Sequence, residues 1–173
     1  VLDGIYDRFV PRFVEAVRNL SMGPGFDFRH QMGTLTSADQ LEATKAHVEQ
    51  AVAAGATVLT GGRHRPDLGP FFFEPTVITD VTDEMTCYGH ETFGPLVSIY
   101  PVDSVDEAIE RANDTEYGLN ASVFAASTDQ AQRIAEQLRA GTVNINEGYA
   151  AAWASTAAPM GGMGISGVGR RHG

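Results

Sequence analysis

Cysteine is nearly missing: Cys87 is the only one in 173 residues. One thiol excludes an internal disulfide, and a reducing, cytoplasmic compartment is the expected setting. Positive charge is also scarce, with 12 Lys and Arg against 22 Asp and Glu and a net charge of −10. That balance argues against nucleic acid and anionic membrane surfaces as partners. No run of 18 apolar residues occurs, so no spanning helix is expected. No secretory leader pattern is present either. Metal-ligand spacing is lacking: there is no HExxH and no CxxC, and His30, His47, His64 and His172 are scattered, so no metal is expected. Neither a G-x-S-x-G elbow nor a G-x-x-x-x-G-K-[ST] phosphate loop is found. Position 1 is Val rather than Met, which fits a processed, cut or partial chain.

What is present fits an ordinary globular protein, with 43% apolar and 20% charged residues. A chain of this length buries roughly 70% of its unfolded surface, enough for one domain. Ile5, Phe9, Phe13, Val17 and Leu20 recur at helical spacing, and Pro11 conflicts with a straight helix there unless it lies in the first turn or at a kink. A second helix is expected from Ser37, with Gln40 placed for a capping box and Gly55 placed to end it. "ATVLTGG" reads as a strand. "FFFEPTVITDV" reads as extended, with Pro75 marking an edge or an irregular stretch. "PLVSIYPV" is a strand, and "SVDEAIERAND" a helix with a second box, Ser104 and Glu107. From Gly118 to Asn146 the order is strand, helix, strand, the helix being closed by Gly141. That is the βαβ pattern of a mostly parallel sheet flanked by helices, so the expected class is α/β.

Three features carry possible chemistry. Six of the last 13 residues are Gly, and the Met, Ile and Val among them suggest a specific path where backbones approach closely. "CYGH" places Cys87 and His90 three residues apart, as a nucleophile and base could be. Two ligands are too few for a closed zinc site, and a lone Cys is ordinarily a small buried apolar residue. "GHETFGP", residues 89–95, puts Glu91 and Phe93 at the lip of an apolar strand. A surface turn has no need of the Phe, and a core segment has no use for the Glu.

From Ile5 to Gly173 the chain resembles the C-terminal part of the catalytic domain of the NAD(P)-dependent aldehyde dehydrogenase superfamily. The segments that agree, in order, are "IYDRFVPRFVEAV", "GATVLTGGRH…GPFFFEPTVITDVTDEMT", "ETFGPLVSIYPVDSVDEAIERANDTEYGLNASVFA", "AGTVNINEG" and "APMGGMGISGVGRRHG". The resemblance implies that residues 1–173 are part of such a catalytic domain. The dinucleotide-binding domain and the segment bearing the nucleophilic Cys would precede Val1. In the family that Cys forms a thiohemiacetal, hydride passes to NAD or NADP, and water activated by a Glu hydrolyses the thioester. Cys87 does not stand at the nucleophile's position, so no catalytic residue is expected in this chain.

In the family, the Glu of E-x-F-G-P accepts hydrogen bonds from the nicotinamide ribose hydroxyls, and the Phe packs beside the nicotinamide. By that match Glu91 and Phe93 are cofactor contacts. A carboxylate's two oxygens suit a vicinal diol. Gly94 would permit a tight turn and Pro95 would fix the exit into the strand. "NINEGYAAAWASTAAPMGGMG" is most similar to the succinate-semialdehyde dehydrogenase subgroup. This makes succinate semialdehyde the expected aldehyde, Ser155 a candidate contact to its carboxylate, and the loop from Tyr149 to Thr156 a wall of its pocket. The resemblance also implies a homo-oligomer. Here this chain differs from many relatives, which carry Lys at the position of Gly164 and a further strand after the last block. The expected activity is NAD(P)-dependent oxidation of an aldehyde to its acid, with the 173 residues alone inactive. The competing expectation is a non-catalytic, self-associating remnant or truncated piece whose uncovered sheet edges associate.

Overall fold

The computed structural model describes residues 1–25, 28–150, 156–157 and 159–171. They form two compact units, Val1–Pro101 and Val102–Gly173. The class is α/β, as expected, and the parallel pairing is divided between two small sheets.

The first unit has helices α1 (Asp3–Arg18), α2 (Ala38–Ala53) and the single turn α3 (Thr86–Gly89), with strands β1 (Thr57–Thr60), β2 (Thr76–Thr79) and β3 (Leu96–Ser98). The sheet order is β1-β2-β3, with β1 antiparallel and β3 parallel to β2. Pro75 therefore precedes a central strand, not an edge. Its missing N–H costs no ladder bond, because pairing starts at Thr76, whose N–H donates to the Pro95 carbonyl at 2.7 Å. All four β2 residues are buried. Successive side chains point to opposite faces of a strand. Val77 accordingly joins Val10, Val14 and Ile99 in one cluster, while Ile78 joins Ala51, Ala56, Val81 and Met85 in another. Each buried Val, Ile or Met among them contributes roughly 1.5–3 kcal/mol on burial. A third cluster unites Leu41, Val48 and Phe73.

Helix α1 continues through Pro11. Pro11 and Asp7 are both exposed. The Asp7 carbonyl, which loses its donor to the proline ring, can turn to water. The core stripe is rotated from the expected one. Val10 and Val14 are buried, with Tyr6, Phe13 and Val17 packed against them. Ile5 and Phe9 remain 44% and 39% exposed. Apolar residues occupy two adjacent stripes, and periodicity alone could not choose between them. Helix α2 ends as expected at Gly55, whose φ is +108°. The Gly55 N–H donates to the Val52 carbonyl at 3.1 Å and the Ala56 N–H to that of Ala51 at 2.9 Å. These are the two bonds of a Schellman motif.

The second unit contains α4 (Val105–Asn113), β4 (Asn120–Val123), α5 (Thr128–Ala135), β5 (Thr142–Ile145), β6 (Met160–Gly161), a 3₁₀ turn (Gly164–Ser166) and β7 (Arg170–Arg171). Strands β4 and β5 pair in parallel around α5, which is the expected βαβ unit. Ser104 caps α4 by accepting from the Glu107 N–H at 3.1 Å, and the Glu107 carboxylate reaches back to the Asp103 N–H at 2.8 Å. Helix α5 stops at Ala135, well before Gly141. Gly141 serves another purpose: a Cβ there would run into the Gly161 carbonyl. The Gly-rich tail takes a specific path, as expected. The Met163 N–H donates to the Gly118 carbonyl at 2.9 Å, the Ile165 N–H to that of Glu116 at 3.0 Å, and the Gly118 N–H to Ser166 Oγ at 2.9 Å.

Candidate functional site

The segment 89–95 leaves α3 and enters β3. Its start is fixed from α2: the Thr86 N–H donates to Gln50 Oε1 at 3.1 Å, and the His90 N–H to the Thr86 carbonyl at 3.0 Å. Its end is fixed by the Thr76–Pro95 bond already described. Between these anchors Glu91 and Phe93 are exposed, and Thr92 between them is half-buried. Phe93 stays 72% exposed despite its size, and its φ of +46° is unusual for a bulky residue. The Glu91 carboxylate has no partner among the described residues. An acceptor pair and an aromatic ring are thus presented by a segment held at both ends.

Helix α2 supplies the support. The Gln40 amide, expected to close a capping box, instead donates to the Thr92 carbonyl at 2.7 Å. Ser37 alone performs the cap, accepting from the Gln40 N–H at 3.2 Å. His47 Nδ1 lies 2.9 Å from Thr92 Oγ1. Thr44 is fully buried, and its hydroxyl donates to the Gln40 carbonyl at 2.8 Å. Gly94 backs directly onto Thr44, and a Cβ there would overlap the Thr44 hydroxyl. Glycine is needed at 94 for this close approach, while the positive φ of the turn falls on Phe93. Sequence spacing missed Gln40, Thr44 and His47, since their partners lie about fifty positions along the chain.

Beside Phe93 lies a largely apolar cavity of about 360 Å³, lined by Met32, Leu35, Phe73, Phe93 and Pro95 among others. It is large enough for a planar ring to rest against Phe93. Burial and the nearby His90 hold His47 below the ordinary histidine value, burial having the larger effect, so the ring is neutral at neutral pH. Burial pushes the Cys87 thiol up, and hydrogen bonding that includes Ser98 offsets this only in part. Cys87 packs against the cluster of Ala51 and Ile78. A nucleophilic Cys requires the opposite, a lowered value and an accessible sulfur. The structure thus gives Cys87 a packing role. Ser155 lies outside the described residues, as does most of the loop from Tyr149 to Thr156. Among the described residues no group of three or more His, Cys, Asp or Glu could hold a metal ion, and no helix is long and apolar enough to cross a membrane.

A match to the aldehyde dehydrogenase family runs over residues 1–173. The chain is 62% identical over 169 residues to a Mycobacterium ulcerans (strain Agy99) protein whose name assigns it to the succinate-semialdehyde dehydrogenases [NADP(+)], covering 98% of this chain and 33% of that protein. The crystal structure of betaine aldehyde dehydrogenase from Staphylococcus aureus in complex with NAD+ matches with a TM-score of 0.88 at 38% identity, over 98% of this chain and 34% of that one. Succinate-semialdehyde dehydrogenase from Burkholderia pseudomallei matches with a TM-score of 0.89 at 37% identity, over 98% and 34%. The chain spans about a third of the length of the curated relatives that it matches.

Proposed function

The chain belongs to the aldehyde dehydrogenase family, and we propose that it forms the cofactor-positioning part of an NAD(P)-dependent enzyme that oxidises succinate semialdehyde to its acid. The observation that carries this reading is the outward presentation of Glu91 and Phe93 on a segment anchored at Thr86, Thr92 and Pro95. The residues present fit a nicotinamide riboside. A carboxylate with no competing partner among the described residues can accept from two vicinal hydroxyls. An exposed ring beside an apolar cavity can pack against a flat heterocycle. When bound, NAD or NADP supplies the hydride acceptor for the aldehyde's C–H. Glu91 holds the ribose and Phe93 limits where the ring can lie. Orientation of that kind gains rate by confining the reactants before they react.

Cys87 takes no part in bond making on this reading, and the attacking thiol comes from elsewhere in the enzyme. The semialdehyde preference rests on the names of the Mycobacterium ulcerans and Burkholderia pseudomallei relatives. Ser155 is proposed to meet the substrate carboxylate. The test is initial-rate kinetics of the full-length polypeptide with succinate semialdehyde and butanal, each with NAD+ and NADP+. The reading predicts turnover with at least one nucleotide and a higher kcat/KM for succinate semialdehyde. Equal kcat/KM for the two aldehydes would remove the substrate assignment. No turnover with either nucleotide would remove the enzyme assignment.

A further inference from the structure

We propose that His47 is a positioning residue for the Glu91–Phe93 segment, fixing it from helix α2 through the hydroxyl of Thr92. The inference rests on the reading of Glu91 and Phe93 as cofactor contacts. Residues 91 and 93 are exposed, while Thr92 between them is half-buried. Thr92 is therefore the one side chain of the three by which the protein can hold the other two.

Gln40, Thr44 and His47 share one face of α2, at i, i+4 and i+7. Leu41, Val48 and Ala51 form the neighbouring face, which enters the core clusters. The helix thus separates packing from positioning. Gln40 bonds a backbone carbonyl, an acceptor that any residue at 92 would offer. His47 differs because its partner is a side-chain hydroxyl, 2.9 Å away. His47 itself is half-buried. His90, in the same segment as Thr92, is the neighbour that joins burial in lowering the His47 value. With the ring neutral, Nδ1 can pair with the hydroxyl in either direction, according to tautomer.

The experiment compares His47→Phe, Thr92→Val, their double variant, His47→Asn and Glu91→Gln in the full-length polypeptide. It reads nucleotide Kd by equilibrium titration, aldehyde KM, and amide hydrogen exchange. The expected result is a roughly five-fold rise in nucleotide Kd for His47→Phe and for Thr92→Val, the size of one net hydrogen bond. The double variant should be no worse than either single one. His47→Asn, which keeps a polar atom near Nδ1, should recover most of the loss. Exchange should quicken at residues 91–93, and aldehyde KM should hold. A loss at Glu91→Gln with none at His47→Phe or Thr92→Val would overturn the role of His47 and leave the cofactor reading standing. Additive losses, or faster exchange along all of α2, would also overturn it, since they mark general loosening. An unchanged Kd for Glu91→Gln would sink the cofactor reading, and this inference with it. If His47→Phe does not fold, Thr92→Val tests the same bond from the other side.

Discussion

The two units are stabilised by different means. Unit Val1–Pro101 has three apolar clusters, and its central strand β2 is buried along its length. In unit Val102–Gly173 the buried apolar residues among those described are Val102, Val123 and Ala131. Its chain crossings are instead made by glycine backbone, with Gly141 against Gly161 and Gly161 against Gly169, and by bonds from the tail to Glu116 and Gly118. The first arrangement tolerates a polar, outward-facing segment because the core is already complete beneath it. Glu91 and Phe93 can be spent on a ligand there without loss of packing. The second arrangement has little apolar burial to spare, and its geometry depends on the absence of side chains at a few points.

Substitutions can break this contrast. The largest effect should come from Ile78→Ala, which removes a fully buried side chain at the junction of β2 and α2. A loss of about 2–5 kcal/mol in chemical denaturation is expected. A loss under about 1 kcal/mol would mean that the clusters are not what stabilises the first unit. Next is Gly141→Ala, where the new Cβ meets the Gly161 carbonyl. Overpacking of that kind costs about 1–3 kcal/mol. It should appear as faster amide exchange at residues 118–123 and 160–163. Gly148→Ala is the control, since nothing lies within 4 Å of its Cβ position. If both alanine variants behave alike, close approach is not what the tail glycines provide.

The smallest effect concerns pH and belongs to the first unit. Folding lowers the His47 value from the ordinary 6.5, so the unfolded chain takes up this proton more readily than the folded one. The contribution of His47 is complete above about pH 6.5 and is lost as pH falls through the lower folded value. Thermal unfolding of wild type and His47→Phe from neutral to mildly acidic pH should show a shallower slope for the variant. Identical slopes would show that His47 is as easily protonated folded as unfolded.

Local signals in the sequence agree with the structure. Ser37 and Ser104 cap their helices, Gly55 ends α2, and the βαβ unit from Gly118 to Asn146 is present. Each depends on residues within a few positions of one another. The differences have a common origin in contacts between distant segments. Gln40 was expected to serve its own helix, yet it is drawn to Thr92. Gly141 was expected to end α5, yet it is required by Gly161. Gly94 was expected for its torsional freedom, yet Phe93 takes the positive φ and Gly94 makes room for Thr44. The α1 stripe was misplaced because its packing partners Val77 and Ile99 are remote in sequence. Of the candidate site, the resemblance proposes Glu91 and Phe93, but nothing local points to the three α2 side chains beneath their segment.

The most direct test of the account is Glu91→Gln in the full-length polypeptide, measured by steady-state kinetics and by thermal unfolding. The substitution keeps the side chain's size and removes one strong acceptor from an exposed position with no partner to lose among the described residues. The account predicts a fall in kcat/KM for the nucleotide of tenfold or more, on the order of the ~1.4 kcal/mol or more carried by hydrogen bonds to a charged group, with Tm essentially unchanged. A matched fall in Tm and activity, or wild-type kinetics, would contradict it.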